Sequence, residues 1–391
     1  MEINGVRINT IQELVNLYYG RTGVGLIQKG QFFNKDAPVL STTTGVYNPV
    51  YGAQVWTQLN LEANAFGLSP KTPWDHSGWR VETARPASSG GGVGENGSLP
   101  ATIKPTWKEL SCKPKTVAHT FDVSEVQEFL ASNGGDDAIA NMAMLRARMG
   151  LHHKEMMNVM LLTDVDTLAG NNLESIDRVC SSKSEEDNCG ITAGDADIYS
   201  IDRSDASNSW ADAQVDHNSN VDRTLTDDIL RDMIVDTIPT AGGNTTFGLT
   251  GADTMSAIIS LYQTQVRYGK ASAVGQAERQ ITLNGVQTAK GIDVGLKVTT
   301  VYNIPFFTSK NVVKDTLSRI YLLDTSDPEG YGKPRLGIDV AAPTQYFEAG
   351  MNMGTPFAID QLGNEGMYRT MAELKCRFFA AQGKIRDLKA S

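Results

Sequence analysis

The chain has 391 residues, 40% of them hydrophobic and 20% charged, a composition that excludes wholesale disorder, a collagen-like repeat and a disulfide scaffold and leaves ample material for a buried core. Its net charge of −10 is concentrated: sixteen acidic and four basic residues lie between Asp164 and Asp228, against 31 basic and 29 acidic elsewhere. A near-neutral body lacks the basic face of a general nucleic-acid-binding protein, and no apolar run reaches the length of a membrane span or forms a signal peptide, so a soluble intracellular product is expected.

From Met1 to Thr72 the sequence is sparsely organised. A short amphipathic helix is predicted over Ile8 to Tyr19, with Ile11, Leu14, Val15 and Tyr18 on one face. Thr42 to Gly67 then scatters Tyr47, Tyr51, Trp56, Leu59 and Phe66 among turn residues. Aromatic residues without a local core read either as a loop-rich part of a larger core or as an arm draped over neighbouring subunits. A hairpin follows, with strands predicted at Trp79 to Pro86 and Ala101 to Cys112 around a tip rich in Gly and Ser, Ala87 to Pro100. Such a ribbon is not rigid alone, so it is expected to project and to be held by contacts.

A third strand is predicted at Lys115 to Val123, then a short helix capped by Ser124 and Gln127 and ending near Ala131. Asn133, Gly134 and Gly135 interrupt the chain before Asp136 to Leu162, which reads as one unbroken helix of roughly 40 Å at 1.5 Å per residue. Asp136 caps it, and Ile139, Met142, Leu145, Met149, Met156 and Val159 or Met160 form its apolar stripe. So long a helix needs an equally long partner. Tyr368, Thr370, Ala372, Leu374, Cys376 and Phe378 alternate with Arg369, Met371, Glu373, Lys375 and Arg377, which predicts a strand of roughly 36 Å and a helix-on-sheet spine.

The acidic segment is rich in Asp, Ser and Asn without periodicity and reads as an elaborated surface insertion. Cys180 and Cys189 within it have a spacing that allows a bridge in an oxidising compartment; Cys112 and Cys376 read as buried thiols. Thr226 caps a helix with Ile229, Leu230, Met233 and Ile234 on its buried face and Pro239 as its stop. A strand at Thr245 to Leu249, a helix at Asp253 to Tyr268 and strands at Ile281 to Val286, Ile292 to Val301 and Arg319 to Leu323 complete a compact α/β unit.

No catalytic constellation emerges. Gly92, Gly94 and Gly97 spell GxGxxG, but Leu99-Pro100 stands where a dinucleotide site needs a helix. His152 and His153 are adjacent, so on a helix their imidazoles point about 100° apart instead of sharing a face. Asp195, Asp197, Asp202 and Asp205 lack the glycine and terminal glutamate of a calcium loop and read as solvated. No nucleophile elbow or triad is recognisable. The expectation is a protein with no cofactor, no metal and no enzymatic activity.

Taken in order, these parts resemble the major capsid proteins of tailed double-stranded DNA viruses, whose α+β fold is named after the Hong Kong ninety-seven phage. VYNIPFFTSKNV at Val301 to Val312 with SRIYLLDT at Ser318 to Thr325 looks like the family's axial-domain strand pair, and MAELKCRFFAAQGKIRDL at Met371 to Leu388 like its C-terminal strand and tail. The resemblance implies an N-terminal arm at 1–72, an extended hairpin loop at 73–114 and a peripheral domain with a spine helix at 115–165 and 345–378. It also implies an axial α/β domain at 225–344 and 379–391, with the acidic insertion at 166–224 as a departure from the minimal pattern. On the hairpin, Trp79, Arg80, Arg85, Lys104, Trp107 and Lys108 become the candidate inter-subunit contacts.

What the resemblance implies for function is self-assembly into hexamers and pentamers of an icosahedral shell around double-stranded DNA, which is held without sequence-specific binding. Portal, scaffolding or decoration proteins are the further partners it implies, with no membrane, and the place is a virion capsid assembled in the host cytoplasm. With the arm starting at Met1, a separate scaffold or unaided assembly is expected. Two alternatives stay open: an encapsulin-type nanocompartment shell and, more distantly, a soluble α/β enzyme.

Overall fold

The computed structural model describes residues 2–3, 6–7, 61–84, 93–98, 104–134, 142–167, 169–266, 299–355 and 362–390. The helix predicted over Ile8 to Tyr19, the helix start at Asp136 and the strand at Ile281 to Val286 lie outside them.

Among the described residues the strands are β1 (Glu2–Ile3), β2 (Val6–Arg7), β3 (Lys71–Pro73), β4 (Gly78–Ala84), β5 (Thr106–Ser111), β6 (Lys115–Ser124), β7 (Gln214–Asp216) and β8 (Arg223–Thr224). They continue with β9 (Phe247–Thr250), β10 (Thr299–Val301), β11 (Ile304–Thr308), β12 (Ile320–Leu323), β13 (Leu336–Gly350), β14 (Gly363–Cys376), β15 (Gly383–Ile385) and β16 (Leu388–Lys389). The α-helices are α1 (Asn64–Leu68), α2 (Glu125–Gly134), α3 (Met142–Leu161), α4 (Ile176–Val179), α5 (Lys183–Asn188), α6 (Asp227–Val235) and α7 (Ala252–Val266). Two compact units contain them, one made of Met1–Asn60, His119–Gly150 and Tyr346–Met367, the other of Leu61–Ala118, Leu151–Gln345 and Tyr368–Ser391.

In the first unit the Ser124 hydroxyl accepts the Gln127 N–H at 3.2 Å and starts α2, as the capping pattern predicts. The helix runs on past Ala131 to Gly134. Glu128 accepts from the side-chain amides of Asn352, at 2.8 Å, and Asn364, which ties α2 to the turn between β13 and β14. A Cβ at Gly366 would stand 2.6 Å from the Phe121 ring, so the bare backbone there lets Phe121 lie on the strand and stack on Tyr346 at 6.2 Å.

The second unit is built on a six-stranded sheet in the order β10-β11-β9-β12-β15-β7. β11 runs parallel to β9 and β12 antiparallel to it, so both stretches that resemble the axial strand pair lie in this sheet with β9 between them. β9 and β12 are buried at every residue, and period two sends their side chains into two cores. On one face Phe306, Ile320 and Leu322 meet Leu230 and Met233 of α6 and Met255 and Ile258 of α7. On the other, Phe307, Tyr321 and Leu323 share a cluster with Met157, Leu161, Ile176 and Val179. Thr226 caps α6 as predicted, but Pro239 is no stop: the chain winds on through a wider turn, Asp236–Thr240, and leaves it at Gly242 with φ +78°.

The spine needs a correction of phase. Within the second unit α3 buries His153, Met157, Asn158 and Leu161 and packs Met160 of the predicted stripe against the core, whereas Met156 and Val159 of that stripe are exposed. The buried line passes through two polar side chains, which a search for apolar spacing steps over. Both are satisfied: His153 shares a hydrogen bond of 2.8 Å with Thr370 and stacks on Tyr368, and Asn158 accepts the Phe66 N–H at 3.0 Å. On β14, Thr370, Ala372, Leu374 and Cys376 are buried as the alternation requires. Glu373 and Lys375 are buried as well, so this strand is covered on both faces.

Candidate functional site

The acidic segment was expected at the surface and is instead folded into the second unit. Leu173, Ile176, Val179, Ile198, Tyr199 and Ala211 join its core, β7 pairs with β15, and β8 pairs with β16. Countercharges from far along the chain make this possible. Asp177, fully buried, receives the Val165 N–H and the Arg319 guanidinium at 2.8 Å each on one oxygen. Its other oxygen takes the Tyr321 hydroxyl at 2.8 Å and the Lys384 ammonium at 3.2 Å. Burial pushes this carboxyl up, but Lys384 and Arg319 outweigh it and hold the group well below the usual carboxylate range.

Glu185, also fully buried, pairs with Lys384 at 2.7 Å and Arg386 at 2.8 Å and accepts the Ser181 hydroxyl at 2.8 Å. Arg319 further reaches Asp164 at 3.1 Å and Asp315 at 2.9 Å. Asp177 and Glu185 are therefore neutralised by Arg319, Lys384 and Arg386, none of which belongs to the segment. Its own Arg203 is buried and donates to the carbonyls of Ala196, Val179 and Ala211 at 3.1, 3.1 and 2.9 Å, satisfying backbone that has no ladder partner. Cys180 and Cys189 are separate free thiols, both buried. Asp197 and Asp205 accept the backbone N–H groups of Arg203 and Ser207 at 2.9 Å each, so they hold turns.

One acid follows a different course. Glu373 accepts the N–H groups of Glu174 at 2.7 Å and Leu374 at 3.0 Å, joining β14 to the acidic segment. Burial, reinforced by the Glu174 carboxylate, overcomes those two donors and pushes it up to about 8.

The hairpin is present as predicted, with Trp79 opposite Leu110, Arg80 opposite Glu109 and Glu82 opposite Trp107. Alternation gives it two faces. Trp79, Val81 and Leu110 turn inward and pack on the core of the second unit, where Trp79 meets the Tyr199 ring edge-on at 5.0 Å. Arg80, Trp107 and Glu109 turn outward. Trp107 is 60% exposed, and Arg80 pairs with Glu109 at 2.9 Å with both side chains 73% exposed. Lys104 and Lys108 are exposed; Arg85 lies outside the described residues. The five described candidates thus separate: Trp79 is committed to the core of its own chain, while Arg80, Lys104, Trp107 and Lys108 face solvent. Sequence reasoning missed the anchors Leu110 and Tyr199. For Leu110 the signal was there, since Trp107 and Leu110 are three apart on a strand and so face opposite sides.

A cavity of about 340 Å³ in the second unit is lined by Gln214, Val215, Asp216, Arg223, Asp228, Ile229, Asp232, Met233 and Asp236, without serine, cysteine or histidine. Among the described residues no group of three His, Cys, Asp or Glu is placed to hold a metal ion, and no helix is long and apolar enough to cross a membrane.

No protein-family model and no curated protein matches this sequence. Solved structures do. A chain of the Cyanophage A-1(L) capsid asymmetric unit is 13% identical, with a TM-score of 0.60 over 90% of this chain and 99% of that one. The capsid of the native GTA particle computed with C5 symmetry gives 10% identity and a TM-score of 0.53 over 92% of this chain and 100% of that one. Its empty counterpart gives 10% and 0.53 over 91% and 99%. The chain has the α+β fold of tailed-phage major capsid proteins, the Hong Kong ninety-seven type.

Proposed function

We propose that this chain is the repeating subunit of a viral shell, assembling into hexamers and pentamers of an icosahedral capsid that encloses double-stranded DNA. The observation that carries this reading is the end-to-end likeness of fold, which spans 90% of this chain and 99% of a phage capsid subunit. The role is structural and needs no chemistry at a site. Its working surface is the exposed part of the hairpin, where Trp107 and Arg80 on the outer face of β4 and β5 offer apolar area and charge to a neighbouring copy, and the exposed Lys104 and Lys108 add charge beside them. Each contact is modest, and a closed ring multiplies it. Outside 164–228 the chain is close to neutral, with 31 basic and 29 acidic residues, which suits a container that holds DNA without gripping it. Portal, scaffolding or decoration proteins are the further partners such a shell takes, and assembly takes place in the host cytoplasm.

Electron microscopy of the expressed protein tests this directly. Icosahedral particles or rings of five or six are the expected result, and a stable monomer on size exclusion at assembly concentrations overturns it. Particles that protect protein cargo in place of DNA support the encapsulin-type alternative. Trp107→Ala is expected to leave the melting temperature of the isolated subunit within a degree or two while reducing particle yield about tenfold or more, the loss multiplied around each ring.

A further inference from the structure

We infer that Tyr199, and the turn that carries it, fixes the root of the β4–β5 hairpin, so that the acidic segment positions the surface through which neighbouring subunits meet. The last clause rests on the shell reading; the hold on the root does not.

The turn is unusual for its sequence. Ile198 and Ile201 bridge each other through N–H to carbonyl bonds of 3.2 and 2.8 Å, with Tyr199 at φ +50° and Ser200 at φ +66° between them. A tight turn with two left-handed central residues normally carries Asn and Gly, because any other side chain strains the backbone there. Such a conformation persists where the surroundings over-determine it. Here they do so through one side chain. The Tyr199 hydroxyl donates to the Leu374 carbonyl at 2.6 Å and accepts the Cys376 N–H at 3.1 Å, standing in for a ladder partner at the end of β14. Burial pushes this hydroxyl well up, so it keeps the proton that it donates. Its ring then has one position, edge-on to Trp79 at 5.0 Å and 6.2 Å from Phe379.

Trp79 is the residue through which that position reaches the hairpin. It stands opposite the buried Leu110, so the contact sets both strands at once. A second hold comes from Lys375, which donates to the His76 carbonyl at 2.7 Å and lies 3.6 Å from the Trp74 ring, fixing the chain just before β4. Farther out every residue of β5 before Leu110 is exposed. A ribbon held only at its root takes its direction from the root.

Amide hydrogen exchange on the full chain decides the matter. Tyr199→Leu is expected to speed exchange in Gly78–Ala84 and Thr106–Ser111 by about tenfold or more while Ile320–Leu323 stays as in the parent. Tyr199→Phe keeps the ring but frees it from the Leu374 carbonyl and the Cys376 N–H, so hairpin exchange is expected to rise by less than with Tyr199→Leu, about threefold. Trp79→Leu is expected to match Tyr199→Leu, and the double variant to add nothing further. Exchange that rises evenly through the second unit, a hairpin unmoved by Tyr199→Leu, or additive single variants each overturn the inference. Where Tyr199→Leu fails to fold, Trp79→Leu removes the same contact and is read by the same two outcomes. Particle yield measured alongside keeps the readings apart: a loosened hairpin with normal particles counts against the hairpin's role in the shell, whereas lost particles with an unchanged hairpin count against Tyr199.

Discussion

The acidic segment and the hairpin carry their charges in opposite ways. In the segment Asp177 and Glu185 are fully buried and meet Arg319, Lys384 and Arg386 at 2.7–3.2 Å. On the hairpin Arg80 and Glu109 meet at 2.9 Å in open solvent. The distances are alike and the consequences are not. An exposed pair is worth about 0–1 kcal/mol, whereas removing one partner of a buried pair costs about 3–5 kcal/mol, because the survivor stays desolvated without a countercharge. A net charge counted along the sequence therefore says little about exposure. What decides it is whether the fold delivers the opposite charge.

The largest effect that follows is at Asp177. Asp177→Ala leaves Arg319 and Lys384 buried beside an empty position, and denaturant unfolding is expected to show a loss of about 3–5 kcal/mol. A loss below about 1 kcal/mol would mean that apolar packing alone keeps the segment in place, and the contrast with the hairpin would vanish.

Glu373 sharpens the contrast from inside the segment's own contact with β14, since it is an acid buried without a cation at bonding distance among the described residues. Its ordinary value is 4.5 and its folded value about 8, so between those limits the folded chain keeps a proton that the unfolded chain has released. Stability contributed by that proton is complete below pH 4.5 and is lost as the pH rises through about 8. Asp177 has the opposite sign: its folded value lies below the ordinary 3.8, so its contribution is present above that pH and lost only in stronger acid. Glu373→Gln keeps an oxygen to accept the two N–H groups and has no proton to lose. The variant is expected to flatten the decline between pH 4.5 and 8 by up to about 1.4 kcal/mol per pH unit. An unchanged slope would show that Glu373 stays ionised in its buried place.

Much of the fold was legible because it rests on local patterns. The Ser124 and Thr226 caps, the hairpin and the alternation of β14 each follow from a few neighbouring residues. The phase of α3 was not legible, because His153 and Asn158 are buried only by virtue of Thr370 and Phe66, which lie 217 and 92 residues away. The acidic segment failed for the same reason on a larger scale. Asp177 reads as a surface residue until Lys384, 207 residues on, is placed beside it. At the candidate contact surface, residue types singled out the ribbon, but only the register of β4 against β5 tells Trp79 from Trp107.

The smallest expected effect bears on the hairpin's own charges. Arg80→Ala and Glu109→Ala are each expected to change the stability of the isolated subunit by less than about 1 kcal/mol, with a coupling between them smaller still at physiological salt. The reason is that both groups are already in water, so neither is stranded when the other is removed. If the outer face is a contact surface, the same pair behaves differently in particles, where a neighbour excludes solvent and raises the cost of an unmatched charge. Single variants should then lower particle yield while the double variant recovers part of it. Equal yields from all four proteins would mean that Arg80 and Glu109 stay in water in the assembled state, and contact would fall to Trp107 and the lysines alone.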